Sequence, residues 1–230
     1  MKLLFFYIVF PFLSFCQLNI FFDKNLDLYK PYTTEAQEYL EINNGVKSST
    51  FKSGLDLNLY VKGKLNMALG ITYKNIIHVV NNRILDYEID GFTYDTPTDL
   101  VSKSHSIGLT PNFNYSLLNY GKYKGILGLN TTVFFFEIFN AKYVVKSKPE
   151  DIHIPSFYPY NSREILFPLS SIDLSIFYIN RWQLKDNFSI GARISLGANL
   201  YSDWDQFKKY AWLGVGIEMG FGKVKVEKAG

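Results

Sequence analysis

Residues 210–222, YAWLGVGIEMGFG, alternate without a break. Ala211, Leu213, Val215, Ile217, Met219 and Phe221 share one face. Tyr210, Trp212, Gly214, Gly216, Glu218, Gly220 and Gly222 share the other. A period of two is the mark of a β-strand whose two faces meet unlike surroundings. Seven further segments follow the same rule: 18–29, 51–62, 64–79, 105–117, 123–138, 170–182 and 187–200. Lys24 interrupts the apolar face of the first, and the fifth turns apolar on both faces at Phe134, Phe135 and Phe136. Eight such strands are enough to close a sheet on itself, and the fold expected is an all-β, eight-stranded antiparallel up-and-down barrel.

The connectors carry the next inference. Those at 62–64, 118–122 and 183–187 are tight, whereas 30–50, 80–104 and 139–169 are long; 201–209 is intermediate. Setting Val61 opposite Leu65, Leu117 opposite Tyr123 and Trp182 opposite Phe188 closes three hairpins without turning an apolar face over, as a one-residue slip would. Short turns at one end and long loops at the other are the pattern of outer-membrane barrels. An even strand number puts both termini at the short-turn, periplasmic end.

Alternation does not say which face points inward. A soluble lipocalin-like carrier would place the apolar set inside, and two features argue for the reverse. Tyr115, Tyr123, Trp182, Phe188 and Phe221 gather at the short-turn end of the apolar face, as a membrane-interface girdle would. The opposite face carries Asp56, Lys74, Asp173, Arg193 and Glu218, charges that lipid would not accept. These five are expected to form a polar cluster in the lumen. Registering Leu200 near Ala211 brings Arg193 level with Glu218 as an ion pair, with Asp173 and Lys74 nearby. The many glycines on the polar face of 210–222 leave room for bulky lumen neighbours rather than a pore.

Composition agrees. Aromatic residues make up 17% of the 230 residues, yet mean hydropathy is only −0.02. Helical membrane spans would need runs of about 20 apolar residues; alternating strands do not. The +3 net charge is small and the cations are scattered, so nucleic acid is not an expected partner. A single cysteine excludes an internal disulfide, and no Cys/His spacing suggests a metal site. Neither a cofactor nor an enzymatic activity is expected. His78 and His105 flank the second long loop, but His105 and Ser106 fall on opposite faces and make no Ser–His pair. Pro111 inside the fourth strand predicts a bulge or local break. The loop around Tyr158 and Tyr160 mixes in Pro149, Pro155 and Pro159.

Residues 1–16 read as a secretory signal: Lys2, an apolar run from Leu3 to Leu13, then Ser14 and Cys16, with cleavage leaving Gln17 first. The run is short and broken by Pro11, unlike a membrane anchor. The sequence Leu13-Ser14-Phe15-Cys16 also approximates a lipoprotein box, with Phe15 where a small residue is wanted. Residues 17–230 then form the barrel domain.

On signal, alternation and loop asymmetry, the chain resembles the outer-membrane β-barrel domain family common in Bacteroidota. Gly216, Met219 and Phe221 look like the terminal signal read by the barrel-assembly machinery, although KVKVEKAG follows Gly222 where the family pattern ends on an aromatic residue. The resemblance implies a cell outer-membrane location, with outer-membrane lipids and the assembly machinery as partners and a surface ligand for the long loops. A structural or surface-interaction role is the leading expectation. A narrow channel for small or apolar solutes and a secreted soluble carrier are the alternatives.

Overall fold

A computed structural model describes residues 17–27, 46–89, 92–145, 162–167, 169–202 and 211–222. Nine strands follow in order: β1 (Leu18–Asp27), β2 (Val46–Lys62), β3 (Leu65–Ile89), β4 (Phe92–Tyr120), β5 (Tyr123–Val145), β6 (Ser162–Leu166), β7 (Ser171–Lys185), β8 (Phe188–Ser202) and β9 (Ala211–Phe221). Each barrel strand is antiparallel to its neighbours, and β1 pairs with both β2 and β9. The ring β1-β2-β3-β4-β5-β7-β8-β9 is therefore closed with eight strands. Strand β6 is a short extra piece that pairs with β5 at Glu137 to Ala141, beyond the point where β7 stops.

Closure has a definite stagger. The carbonyl of Gln17 accepts the Asn58 N–H at 3.1 Å. From Asn58 the partners run through Ala68, Asn112, Asn130, Ser175, Gly197 and Trp212 to Asp27. One circuit thus climbs from position 17 to position 27 on β1, a stagger of ten residues. With ordinary strand spacings, eight strands and that stagger give a tilt of about 40° and a backbone radius of about 8 Å. Such a cylinder is just wide enough for its own side chains.

The orientation of the faces is plain. Leu59, Ile71, Ile176, Leu196 and Val215 point out of the barrel and are more than half exposed, while Lys74, Asp173 and Arg193 point in and are 2% exposed. The core is polar and the exterior is apolar, the reverse of a water-soluble barrel.

The three short hairpins differ in detail from expectation. Each closes on a two-residue turn: Lys62 opposite Leu65, Tyr120 opposite Tyr123, and Lys185 opposite Phe188. Gly63 and Gly121 take left-handed φ values of 58° and 57°, and Asp186-Asn187 turns with residues that tolerate that region. A two-residue turn alone would set apolar residues of one strand against polar residues of the next. A bulge on the first strand of every hairpin, at Leu59, Leu117 and Leu184, supplies the extra residue that restores the faces. Val61 therefore pairs with Asn66 rather than Leu65, and Trp182 with Ile190 rather than Phe188. Leu117, bulged, has no direct partner, and Tyr123 meets Tyr120.

Pro111 produces a local break and no bulge: Thr110 and Pro111 have no partners in the ladder to β5. Pro111 sits opposite Leu69 in the ladder to β3, and the ladder to β5 resumes at Asn112 in the register it had at Leu109. The Thr110 hydroxyl bridges to Thr132 at 3.0 Å across that gap. The shift instead falls at Phe135, in the stretch that is apolar on both faces.

The long connectors are largely sheet. Residues 80–89 and 92–104, expected as loop, continue β3 and β4 as one hairpin that ends with Ile89 opposite Phe92. Residues 139–145 and 162–166 extend β5 and form β6, and 46–50 begin β2. Pairing lets the backbone keep its hydrogen bonds after it leaves the barrel proper. Residues 1–16, most of 30–50, Pro149 to Tyr160 and 223–230 lie outside the described residues.

Candidate functional site

The lumen is the candidate site because it concentrates buried charge. Its upper part, toward the long connectors, centres on Asp173. Lys52 Nζ lies 2.7 Å from Asp173 Oδ2 and Lys74 Nζ 3.3 Å from the same oxygen. The Asn199 amide donates to Oδ1 at 2.8 Å, and Lys74 also donates to Ser171 Oγ at 3.1 Å. The lower part centres on Glu218. Arg181 Nη2 donates to Oε1, and Arg193 Nη1 stands 3.5 Å from Oε2. Arg193 Nε lies 3.1 Å from Asp23 Oδ2. Asp56 is buried on the same wall, and its Oδ1 has no hydrogen-bond partner among the described residues.

The five residues singled out from the sequence all have buried positions, and four of them divide between two ion clusters. Arg193 and Glu218 share the lower cluster, whereas Lys74 and Asp173 belong to the upper one. The register also differs by two residues from that expected. Ala211 pairs with Ala198, so Glu218 faces Gly191 across the ladder and Arg193 faces Gly216. That offset leaves room for Arg181 to reach Glu218 from β7. Lys52, Arg181 and Asp23 are the members missed. Each stands on the polar face of its segment, so the alternation places it inside. Which charges meet depends on the stagger of the closed sheet, which no single segment contains.

Aromatic rings complete the filling. Four of the inward rings are paired across the ladder with a glycine: Phe21 with Gly54, Phe134 with Gly108, Phe177 with Gly128 and Trp212 with Gly197. A methyl group at any of these four glycines would run into the ring opposite. Each of these four rings also bears a cation. Lys52 Nζ is 3.6 Å from the Trp212 ring centre and Lys74 Nζ 3.9 Å from that of Phe134. The Arg193 guanidinium lies between Phe21 at 4.4 Å and Phe177 at 4.0 Å. Glycine thus seats a ring, the ring seats a cation, and the cation holds a carboxylate. A cavity lined by Phe21, Asp23, Lys52, Arg193 and Trp212 has a volume of about 10 Å³, room for roughly one water.

Outside, the aromatic set at the short-turn end is brought together. Converting strand position and stagger into height puts Tyr115, Tyr123, Trp182, Phe188 and Phe221 within about 7 Å of one another along the axis. Tyr123 meets Trp182 with ring centres 5.9 Å apart, and Phe188 meets Phe221 at 5.3 Å. Phe221 pairs with Phe188 on one side and Leu18 on the other, so β9 closes the barrel along its whole length.

His105 lies on the outer face. Its Nδ1 is 2.6 Å from the Tyr73 hydroxyl and 2.9 Å from the Asn75 amide, while Ser106 is buried on the other face. His78 holds the position opposite Ser102, and its side chain is outside the described residues. Among the described residues no group of three or more His, Cys, Asp or Glu side chains is placed to hold a metal ion.

No family model matches the chain, and no curated protein matches its sequence. Solved structures similar to it include surface protein A of Neisseria, at 13% identity and a TM-score of 0.42, covering 88% of this chain and 94% of that one. The N-terminal β-barrel domain of Pseudomonas aeruginosa OprF is similar at 11% identity and a TM-score of 0.35, covering 89% and 97%. The attachment invasion locus protein of Yersinia pestis, solved with the heparin analogue sucrose octasulfate, is similar at 12% and 0.37, covering 90% and 97%. None of these likenesses speaks to activity.

Proposed function

We propose that this chain is an integral outer-membrane protein of the small Bacteroidota-type barrel class, with a structural or surface-interaction role and a closed lumen. One observation carries the reading: the barrel is inverted, with leucine, isoleucine and valine outside and paired charges inside. In water the exposed apolar wall would drive association. In lipid, every backbone group of a closed barrel is already satisfied and the apolar wall is at home. The outward apolar rows of β3 and β8 span about 20–30 Å along the axis, near the ~25 Å band of known barrels. Residues 1–16 serve as the export signal in this reading, and the terminal strand as the segment offered to the assembly machinery.

The surface role is supported by unequal strand lengths. A tilted crossing needs about 9–11 residues, and β1 and β9 have 10 and 11. Strands β3, β4 and β5 have 25, 29 and 23, so a sheet stands well above the barrel on one side and offers a surface for a ligand. Cell fractionation with heat-dependent gel mobility tests the membrane reading. The protein is expected in the detergent-extracted outer-membrane fraction, migrating faster unheated than boiled. A chain that stays soluble without detergent and shows one mobility would overturn it.

A further inference from the structure

Exposed charge differs between the two ends of the barrel. The three short turns, at 62–65, 120–123 and 185–188, carry Lys62, Lys64, Lys122 and Lys185, all exposed. Asp186 is the one exposed acid beside them among the described residues. The sequence that leaves Gly222 at this end, KVKVEKAG, is lysine-rich as well. The long connectors at 30–50, 80–104, 139–169 and 201–209 instead hold 13 acids and 10 cations. The turn lysines are scattered along the chain, and the topology gathers them, because all three hairpins turn at the same end.

Two features of the set say what it can hold. All four turn cations are lysines, while Arg83, Arg163, Arg181 and Arg193 are elsewhere. An ammonium is a hydrated point charge on a flexible stem, with no fork to grip an anion in one pose. The turns are also spread out. Successive ones are two strands apart, a quarter of the eight-stranded ring, or about 11 Å at a backbone radius of about 8 Å. No small anion is held by all three. A long anion lies across them, and each further contact is then made at high effective concentration.

Lipid headgroups are the other anions at hand. Lys122 directly precedes Tyr123 of the aromatic girdle, and Lys185 lies between Trp182 and Phe188. Headgroups, however, surround a membrane barrel at both ends. An excess of cations at one end answers something present on one side of the membrane.

We propose that the short-turn end, through Lys62, Lys64, Lys122 and Lys185, docks a carboxylate-bearing polymer of the compartment it faces, of the kind that a peptide-crosslinked cell wall presents. The inference rests on the membrane reading above, which sets this end in the periplasm, and it gives the structural role a partner class.

The test is co-sedimentation of the full chain, folded in neutral detergent, with purified cell-wall sacculi. Wild type is expected in the pellet at low ionic strength and leaves it as salt rises, since exposed charges are screened. Lys62→Gln/Lys64→Gln/Lys122→Gln/Lys185→Gln is expected to lower the bound fraction several-fold and to flatten the salt dependence. Lys103→Gln/Lys142→Gln, which neutralises exposed cations toward the opposite end, should bind as wild type does. Heat-dependent mobility checks the fold of each variant, so failure of the membrane reading is seen there separately. Soluble poly-L-glutamate is expected to displace the protein at a lower charge concentration than phosphatidylglycerol in mixed micelles. Absence of folded wild type from the pellet, undiminished binding by the quadruple variant, or loss in the double variant would overturn the proposal. Displacement by the lipid at the lower concentration would also overturn it, by pointing to a headgroup site.

Discussion

At the residue scale, Glu218 bears the most. It is buried and faces two arginines, Arg181 and Arg193. Removing one member of a buried ion group leaves the others uncompensated, at a cost of about 3–5 kcal/mol. Glu218→Ala is therefore expected to lower the urea midpoint of the barrel in detergent; an unchanged midpoint would remove the pairing. The ring seats make a second prediction. Gly128→Ala pushes a methyl group into Phe177 and should cost about 1–3 kcal/mol, and Phe177→Leu in the same chain should recover part of it. A double-mutant cycle that is strictly additive would show that the two do not touch. The alternation placed Glu218, Arg193 and the glycines inside, and their abundance implied bulky neighbours. It did not say that each glycine has an aromatic partner directly across the ladder, because that depends on pairing between strands.

At the element scale, β1 shows how a defect in the pattern is accommodated. Lys24 breaks the apolar face, and its ammonium donates to Ser49 Oγ on β2; in the proposed membrane reading this lifts the charge away from the acyl chains. Lys24→Leu should therefore change folding stability in vesicles by less than about 1 kcal/mol. Phe22→Lys, two residues lower on the same face, should cost about 2–4 kcal/mol because it sits near the midplane. Equal effects would mean that Lys24 is not rescued by its height. The hairpins carry the same lesson for β2, β4 and β7. Their apolar faces were legible and their turns nearly so. The bulges at Leu59, Leu117 and Leu184 were not, since they reconcile a turn geometry with a face, and neither alone calls for an extra residue. Strand length was underread at the other end. Residues 80–89 and 92–104 lack the clean alternation of the barrel strands, as the proposed membrane reading expects of a sheet that need not divide lipid from lumen.

For the whole molecule, stagger and composition of the lumen act together. Eight strands with a stagger of ten enclose a cylinder of about 8 Å backbone radius. Inward rings and two ion clusters occupy it. In planar bilayers the protein is expected to show no steady conductance at moderate voltage. A stable, ohmic, single-channel step would overturn the closed lumen and favour a solute path. The sheet of β3, β4 and β5 above the rim remains the surface on which a ligand of the long-connector end would act.

The sequence by itself determined the class of object. A period of two in eight segments, with aromatics at one end of the apolar face and charge on the other, leaves few folds that satisfy both faces at once. It also determined which residues point inward, since parity along a strand is local. Only the tertiary structure decided which of those residues meet. Closure links β1 to β9, and the ten-residue stagger sets height around the ring. It brings Lys52 to Asp173, Arg181 to Glu218 and Arg193 to Asp23 from strands far apart in the chain. Such contacts depend on the pairing of every strand between them, so each register shift along the way moves the answer.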